Sequence, residues 1–362
     1  MTEATLEFAP DWVSPPGDTI ADLIEERDWT QVQLSERLGY TEKHVSQLIN
    51  GKAPITEETA LKLTKVLGGT EKFWLNREAD YRAQLAQNEE KKLLESWVDW
   101  LDELPVKDLM KQGEISTRRL IAKHKPVIVK EMLVFFGVAS PDDYFRCYSE
   151  QRLSYRRTRE QQSDTGAISS WLRLGEIKAE KTECSKYSKT KFQRASRKIR
   201  ELTTLPVEEF LPKIERLCKD SGVVFVLVPS IPKAHISGVA RWLNPHKAVI
   251  QLSLYGKSND KFWFTFFHEV AHVLLHGKDD IFLDEWESGK KLVSEQENEA
   301  NQWSRDFLIP STYQSELAKL KSKSAVTSFA QKLGIHPGIV VGRLQHDKVI
   351  ELSWMNQLKE KI

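Results

Sequence analysis

Cysteine is scarce in this chain of 362 residues. Cys147, Cys184 and Cys218 are odd in number, far apart and never in a CxxC pair. That pattern argues against a disulfide framework and against a thiolate zinc site. Long apolar runs are also missing. No stretch approaches the roughly 20 consecutive apolar residues that span a bilayer, so no membrane segment is expected. The stretch MTEATLEFAPDWVSPPGD is acidic and has no apolar core, so it does not read as a signal peptide. Low-complexity tracts are absent as well. These absences point to a cytoplasmic globular protein.

Net charge is nearly absent too, at +1, but it is unevenly spread. Residues 1–86 hold 15 acidic and nine basic side chains, a net −6. Residues 145–200 hold 15 basic and six acidic, a net +9. The length exceeds one ordinary core, so several domains are expected. The reading is an all-α domain over residues 1–90, a helical and partly basic connecting region over 91–189, and an α+β domain over 190–362.

The first region is punctuated by helix starts. Asp18 or Thr19 can cap a first helix, Thr30 a second, Thr41 a third and Thr56 a fourth, each just before helix-forming residues. Leu34, Leu38, Val45, Leu48, Ile49, Leu61, Leu63, Val66 and Leu67 supply a small core. Gly39 falls between the second and third helices, where a tight turn suits a residue without Cβ. In the middle region EKKLLESWVDWLDELP and VIVKEMLVFFGV read as helices, and no chemistry is evident there. Beyond residue 205 the pattern changes. VVFVLVPSI, ISGVARWL and HKAVIQLSL read as three strands after the helix LPVEEFLPKIERLCKDSG. Helices follow, which gives an α+β domain.

One of those helices raises a chemical question. FTFFHEVAHVLLHG buries His268, Glu269 and His272 in an apolar run, although such groups avoid burial unless paired or bound to something. The spacing is H-E-x-x-H, which sets two imidazoles on one helix face toward a single ion. Glu269 stands beside the site as a general base for water, and a divalent ion would polarise a carbonyl. A catalytic zinc site needs a third protein ligand. His276 comes four residues after His272 and reads as a capping or ligand-supporting residue near Gly277. Glu295, Glu297 and Glu299 are all available downstream. Glu297 is favoured because the small Ala300 allows close helix approach and Asn301 can hydrogen-bond a ligand from behind.

The stretches ISGVA, FTFFHEVAHVLLHG and ENEANQWSRDFLIP make residues 190–345 resemble the ImmA/IrrE family of metallopeptidases. The resemblance implies a gluzincin-type site with zinc on His268, His272 and Glu297, and Glu269 as catalytic base. It also implies cleavage of helix-turn-helix repressors. Tyr255, His235 and Arg241 are candidates for stabilising the oxyanion. TQVQLSERLGYTEKHVSQLINGK, ITEETALKLTKVLG and FWLN make residues 15–82 similar to XRE-type helix-turn-helix domains, most closely to HigA-like antitoxins. On that resemblance the third helix enters the major groove of a DNA operator, led by Thr41. Glu42, Lys43 and Ser46 face bases, flanked by His44 and Gln47, while Gln31, Asn50 and Lys52 meet phosphates. A homodimer is one arrangement such a unit can take.

Two functions fit these residues. One is a DNA-binding regulator with a zinc endopeptidase that cleaves a helix-turn-helix repressor in a toxin–antitoxin, prophage or defence setting. The other is a HigA-like antitoxin or repressor, partnered by a cognate toxin, whose zinc domain senses or binds without proteolysis.

Overall fold

The computed structural model describes residues 13–148, 164–253, 258–277, 282–285 and 295–362. The chain divides into two compact units, residues 1–98 and 99–362, so residues 99–189 group with the C-terminal unit.

In the first unit five helices follow one another: α1 (Pro16–Glu25), α2 (Gln31–Leu38), α3 (Glu42–Ile49), α4 (Glu57–Leu67) and α5 (Glu71–Ser96). Thr30, Thr41, Thr56 and Thr70 cap α2 to α5 through their hydroxyls. At Thr30 the cap is reciprocal, because Gln33 Oε1 accepts from the Thr30 amide at 2.8 Å. Gly39 ends α2 in the left-handed conformation, φ +67°, which is why a glycine stands there. The first helix departs from expectation. It starts at Pro16, whose fixed φ suits a first turn, and Asp18 accepts from the Ser14 hydroxyl at 3.0 Å instead of capping. Leu34, Leu38, Val45, Leu48, Leu63 and Leu67 are buried as expected, joined by Ile20, Ile24, Ile55, Ala60 and Trp74. Leu61 lies exposed, since Ala60, Leu63 and Leu67 already fill the inward stripe of α4.

The second unit is built on a four-stranded sheet ordered β1-β3-β2-β4: β1 (Val223–Leu227), β2 (Ile236–Asn244), β3 (Lys247–Leu252) and β4 (Phe282–Glu285). The β1–β3 pair is parallel, and β2 runs antiparallel to both β3 and β4. Helices α6 (Val106–Lys111), α7 (Lys125–Phe136) and α8 (Thr165–Glu180) precede the sheet, with residues 141–148 also helical. α9 (Lys189–Glu201) and α10 (Val207–Lys219) follow, still ahead of β1; α11 (Asn259–Leu275) lies between β3 and β4, and α12 (Glu295–Leu308), α13 (Lys323–Leu333) and α14 (Pro337–His346) come after the sheet.

Alternation along the strands sorts the two faces. Val223, Phe225, Ala240, Ala248, Ile250 and Leu252 join one core with Phe210 and Ile214 of α10 and Phe262, Phe266 and Val270 of α11. On the other face α8 covers the sheet. There Gln251 Nε2 donates to the Trp171 carbonyl at 2.6 Å, and Arg241 Nη2 donates to the Leu172 carbonyl at 2.6 Å. Trp171 and Leu172 are fully buried. The apolar Ile168, Trp171, Leu172 and Leu174, which carried no chemistry in the sequence, thus complete the sheet.

A fragment of residues 99–362 should therefore unfold cooperatively, whereas residues 190–362 should aggregate. Removing α8 uncovers Val224, Val226, Val239 and Val249, all now buried. Light scattering and thermal melts of the two fragments check this. Equal solubility and melting temperature would show that α8 is not needed.

Candidate metal centre and nucleic-acid interface

α11 can bury polar groups because the rest of it is so apolar. Trp263, Phe266, Phe267 and Val270 are fully buried. Each such side chain contributes about 1.5–3 kcal/mol on burial. That offsets the cost of carrying His268, Glu269 and His272 into the same core, where they are 0%, 0% and 1% exposed. α12 lies close against α11 through Ala300, which is fully buried, and through Ser304, whose hydroxyl donates to the Phe264 carbonyl at 3.1 Å. That approach delivers Glu297.

Three donor atoms converge. His268 Nε2 and His272 Nε2 are 2.9 Å apart. Glu297 Oε2 lies 3.3 Å from the first and Glu297 Oε1 3.4 Å from the second. Ligands about 2.0–2.1 Å from a tetrahedral zinc lie about 3.3–3.4 Å from one another; the two histidine–Glu297 separations match this, and the 2.9 Å between the imidazoles is a few tenths of an ångström shorter. Two buried imidazole nitrogens facing each other beside one carboxylate could be satisfied by a cation held between them. Burial brings the His272 imidazole down to about 4 despite the neighbouring Glu297. Burial would raise the Glu297 carboxyl, but hydrogen bonds to His268 and His272 overcome this and hold it below the usual carboxylate range. Neutral imidazole beside ionised carboxylate is the protonation state of a metal-donor set.

The support behind His272 comes from His276. Their Nδ1 atoms are 2.8 Å apart, and His276 Nε2 is 3.3 Å from Glu299 Oε2. A proton on His272 Nδ1 and one on His276 Nε2 complete a chain that leaves the His272 Nε2 lone pair facing the cluster. Asn301, expected in this supporting role, makes no hydrogen bond to the cluster among the described residues. The position four residues along α11 already gives His276 the only ring nitrogen of His272 left over. Glu295 is exposed and Glu299 is 59% exposed in its side chain.

Glu269 stands against β2. A Cβ at position 238 would fall 2.6 Å from Glu269 Oε1 and 2.8 Å from Thr265 Cγ2, so only glycine lets the strand pass this close. Sequence reasoning gave Gly238 no role; a lone glycine inside the strand ISGVA was the available signal. Arg241 is corrected as an oxyanion candidate. Alternation along β2 turns it to the opposite face from Gly238, where it holds Leu172. His235 precedes β2 with φ +49°, and Tyr255 lies outside the described residues.

In the first unit α3 carries most of the residues expected to contact DNA. Thr41, Glu42 and Lys43 are exposed at its start, and Ser46 and Gln47 are half-buried one turn on. The His44 ring packs edge-on against Tyr40, with centroids 4.6 Å apart. Asn50 Nδ2 donates to the Ser46 carbonyl at 2.7 Å. Gln31 opens α2 and Lys52 follows α3, both exposed.

Metal affinity should collapse in Glu297→Ala and stay near parent in Glu295→Ala. His276→Ala should lower it about 10–100-fold, the usual effect of removing a ligand's supporting partner. Competition with a chromophoric chelator measures all three. A Glu297→Ala protein with parental affinity would remove the carboxylate from the set.

Two family models match the chain: one described as helix-turn-helix over residues 20–75, and one described as IrrE N-terminal-like domain over residues 218–345. The chain is 33% identical over 61 residues, 17% of its length, to an uncharacterised HTH-type transcriptional regulator, YddM, of Escherichia coli strain K12. That match spans 65% of the regulator's own length. Two solved structures are 32% identical and cover 22% of this chain at a TM-score of 0.21. They are a putative antidote protein of a plasmid maintenance system from Nostoc punctiforme, covered to 90%, and an addiction module antidote protein of a HigA family from Coxiella burnetii, covered to 89%. The chain thus joins an XRE-like helix-turn-helix over residues 20–75 to an IrrE/ImmA-like peptidase domain over residues 218–345.

Proposed function

We propose that this chain is a DNA-binding regulator whose second unit is a zinc-dependent endopeptidase, and that its substrate is a helix-turn-helix repressor. The observation that carries the reading is the convergence of His268, His272 and Glu297 beside a buried carboxylate, Glu269, that is not part of the donor set. A structural metal site has no use for such a group.

A zinc ion held by those three residues would supply Lewis acidity and make water nucleophilic at neutral pH. The chain's own residues do the rest. Glu269 takes a proton from the attacking water and passes it to the amine that leaves. Gly238 leaves room for that carboxylate, and the apolar walls of α11 keep bulk water away from it. His276 and Glu299 hold the His272 ring in one tautomer. General acid–base assistance is worth roughly 10²–10⁴-fold in rate. Glu269→Gln should accordingly bind zinc and melt like the parent while losing at least a hundredfold in cleavage of a helix-turn-helix repressor. Incubation with candidate repressors, followed by mass spectrometry of the products, checks it. Parental cleavage by Glu269→Gln would sink the proposed role.

A second reading is a HigA-like antitoxin, partnered by a toxin, whose metal domain senses without cutting. The acidic balance of residues 1–86 favours it, because a net −6 suits protein contact better than DNA. The two readings share the DNA-facing role of α3. A fragment of residues 1–98 should bind DNA from upstream of its own gene, with affinity falling steeply as salt rises. Lys43→Ala combined with Ser46→Ala should relax the sequence preference. Lys52→Ala should weaken binding to all sequences alike and reduce the salt slope by about one. An unchanged preference in the double variant would move recognition off α3.

A further inference from the structure

The basic stretch of the sequence gathers on α9 and on the turn beside it. Between Lys186 and Arg200 there are seven basic residues and no acidic one. The fold fixes α9 firmly. Phe192 and Ile199 are fully buried. The Arg200 guanidinium donates to the carbonyls of Phe307, Leu308 and Leu333 at 2.8, 2.7 and 3.2 Å. Arg200 thus serves the fold, whereas Lys191, Arg194 and Lys198 are exposed. Their spacing of three and then four sets them in one stripe along the helix.

That stripe lines one side of a shallow groove whose other side is Leu217, Asp220 and Ser221, at the end of α10. The chain leading into α9 runs along the same turn, since the amides of Ser185 and Ser188 donate to the carbonyls of Lys219 and Ser221, each at 3.0 Å. The exposed Lys186 and Lys219 are therefore close by. None of these five cationic side chains makes a hydrogen bond or an ion pair among the described residues. Asp220 is the one carboxylate lining the groove, and it is itself exposed. α10 also carries Glu208, Glu209 and Glu215, but none of them lines the groove, and Glu209 is paired with Lys213 at 3.3 Å.

Exposed cations held in a row on a rigid helix attract a polyanion. From Lys191 to Lys198 the helix rises about 10 Å, at roughly 1.5 Å per residue. Duplex DNA presents a phosphate about every 3.4 Å along each strand, so the stripe faces about three of them. The exposed positions of α9 carry no aromatic ring of the kind on which single strands stack their bases. The first unit, at a net −6 over residues 1–86, supplies little of the phosphate attraction that DNA binding draws on. We infer that α9 is a phosphate-binding face of the second unit, where Lys191, Arg194 and Lys198 hold the backbone of duplex DNA without regard to sequence. Only the choice of partner rests on the DNA-binding half of the reading above.

Fluorescence anisotropy of the full chain on a duplex of random sequence, between about 50 and 200 mM KCl, tests this. Each phosphate contact contributes about −0.9 to the slope of log K against log salt. Lys191→Gln, Arg194→Gln and Lys198→Gln together should make that slope shallower by about 2–3 and weaken low-salt binding at least tenfold. The melting temperature should not change, because no side-chain hydrogen bond or ion pair is lost. A control with the same change in net charge, Lys319→Gln with Lys321→Gln and Lys323→Gln on exposed positions, should keep the parental slope. Poly-glutamate at matched charge should compete at least tenfold less well than duplex. The role of α3 fails separately: a parent with no preference for DNA upstream of its own gene would remove it, and the random-sequence slopes would still decide the role of α9. No binding of random duplex by the parent, a parental slope in the α9 variant, an equal loss in the control, or equal competition by poly-glutamate, which would point to an acidic protein instead, would each overturn the inference.

Discussion

Two imidazoles and a carboxylate, His268, His272 and Glu269, are buried on α11, a second carboxylate, Glu297, faces them from α12, and much of the second unit is arranged around that polar cluster. His268 and His272 turn their Nε2 atoms to within 2.9 Å of each other, and Glu297 closes the set from a separate helix. α12 can reach them because Ala300 and Ser304 keep it close to α11. β2 can pass Glu269 because residue 238 has no side chain. The aromatic stretch before His268 provides the apolar burial that makes so polar a centre tolerable. Each of these positions answers a need set by the donors.

Much of this was legible in the sequence because it is local. Helical spacing alone sets His268 and His272 on one face, and the four-residue rule also gives Ala300 and Asn301 their relation to Glu297. Thr30, Thr41 and Thr56 announced their helices through side-chain chemistry that acts within three residues. What the sequence hid depends on contacts made across the fold. The role of Gly238 appears only when β2 is laid against α11. His276 read from the sequence as a capping or ligand-supporting residue, but which ligand it meets, His272 through Nδ1, appears only in the fold. β4 is four residues long and half acidic, too short to show a period. α8 lies in a stretch that read as polar and basic around the apolar AISSWLRLG, with no chemistry evident, yet it closes one face of the sheet.

The first unit shows a different economy. Its core is small, its caps are explicit, and the exposed side chains of α3 and the turn after it are mixed in charge rather than strongly basic. Affinity for DNA from such a surface leans on base contacts more than on phosphate attraction. That makes the balance of acidic and basic groups, and not the helix-turn-helix geometry, the feature that separates a DNA-reading unit from one whose main partner is another protein.

X-ray absorption at the zinc edge, on the full chain loaded with one equivalent of zinc, shows whether the buried donors form a metal site. Zinc on His268, His272 and Glu297 gives nearest-neighbour scattering from nitrogen and oxygen only, at about 2.0–2.1 Å, with the more distant signature of two imidazoles. A sulfur shell at about 2.3 Å, or a spectrum with no imidazole signature, would place the zinc elsewhere and rule out these residues as its ligands.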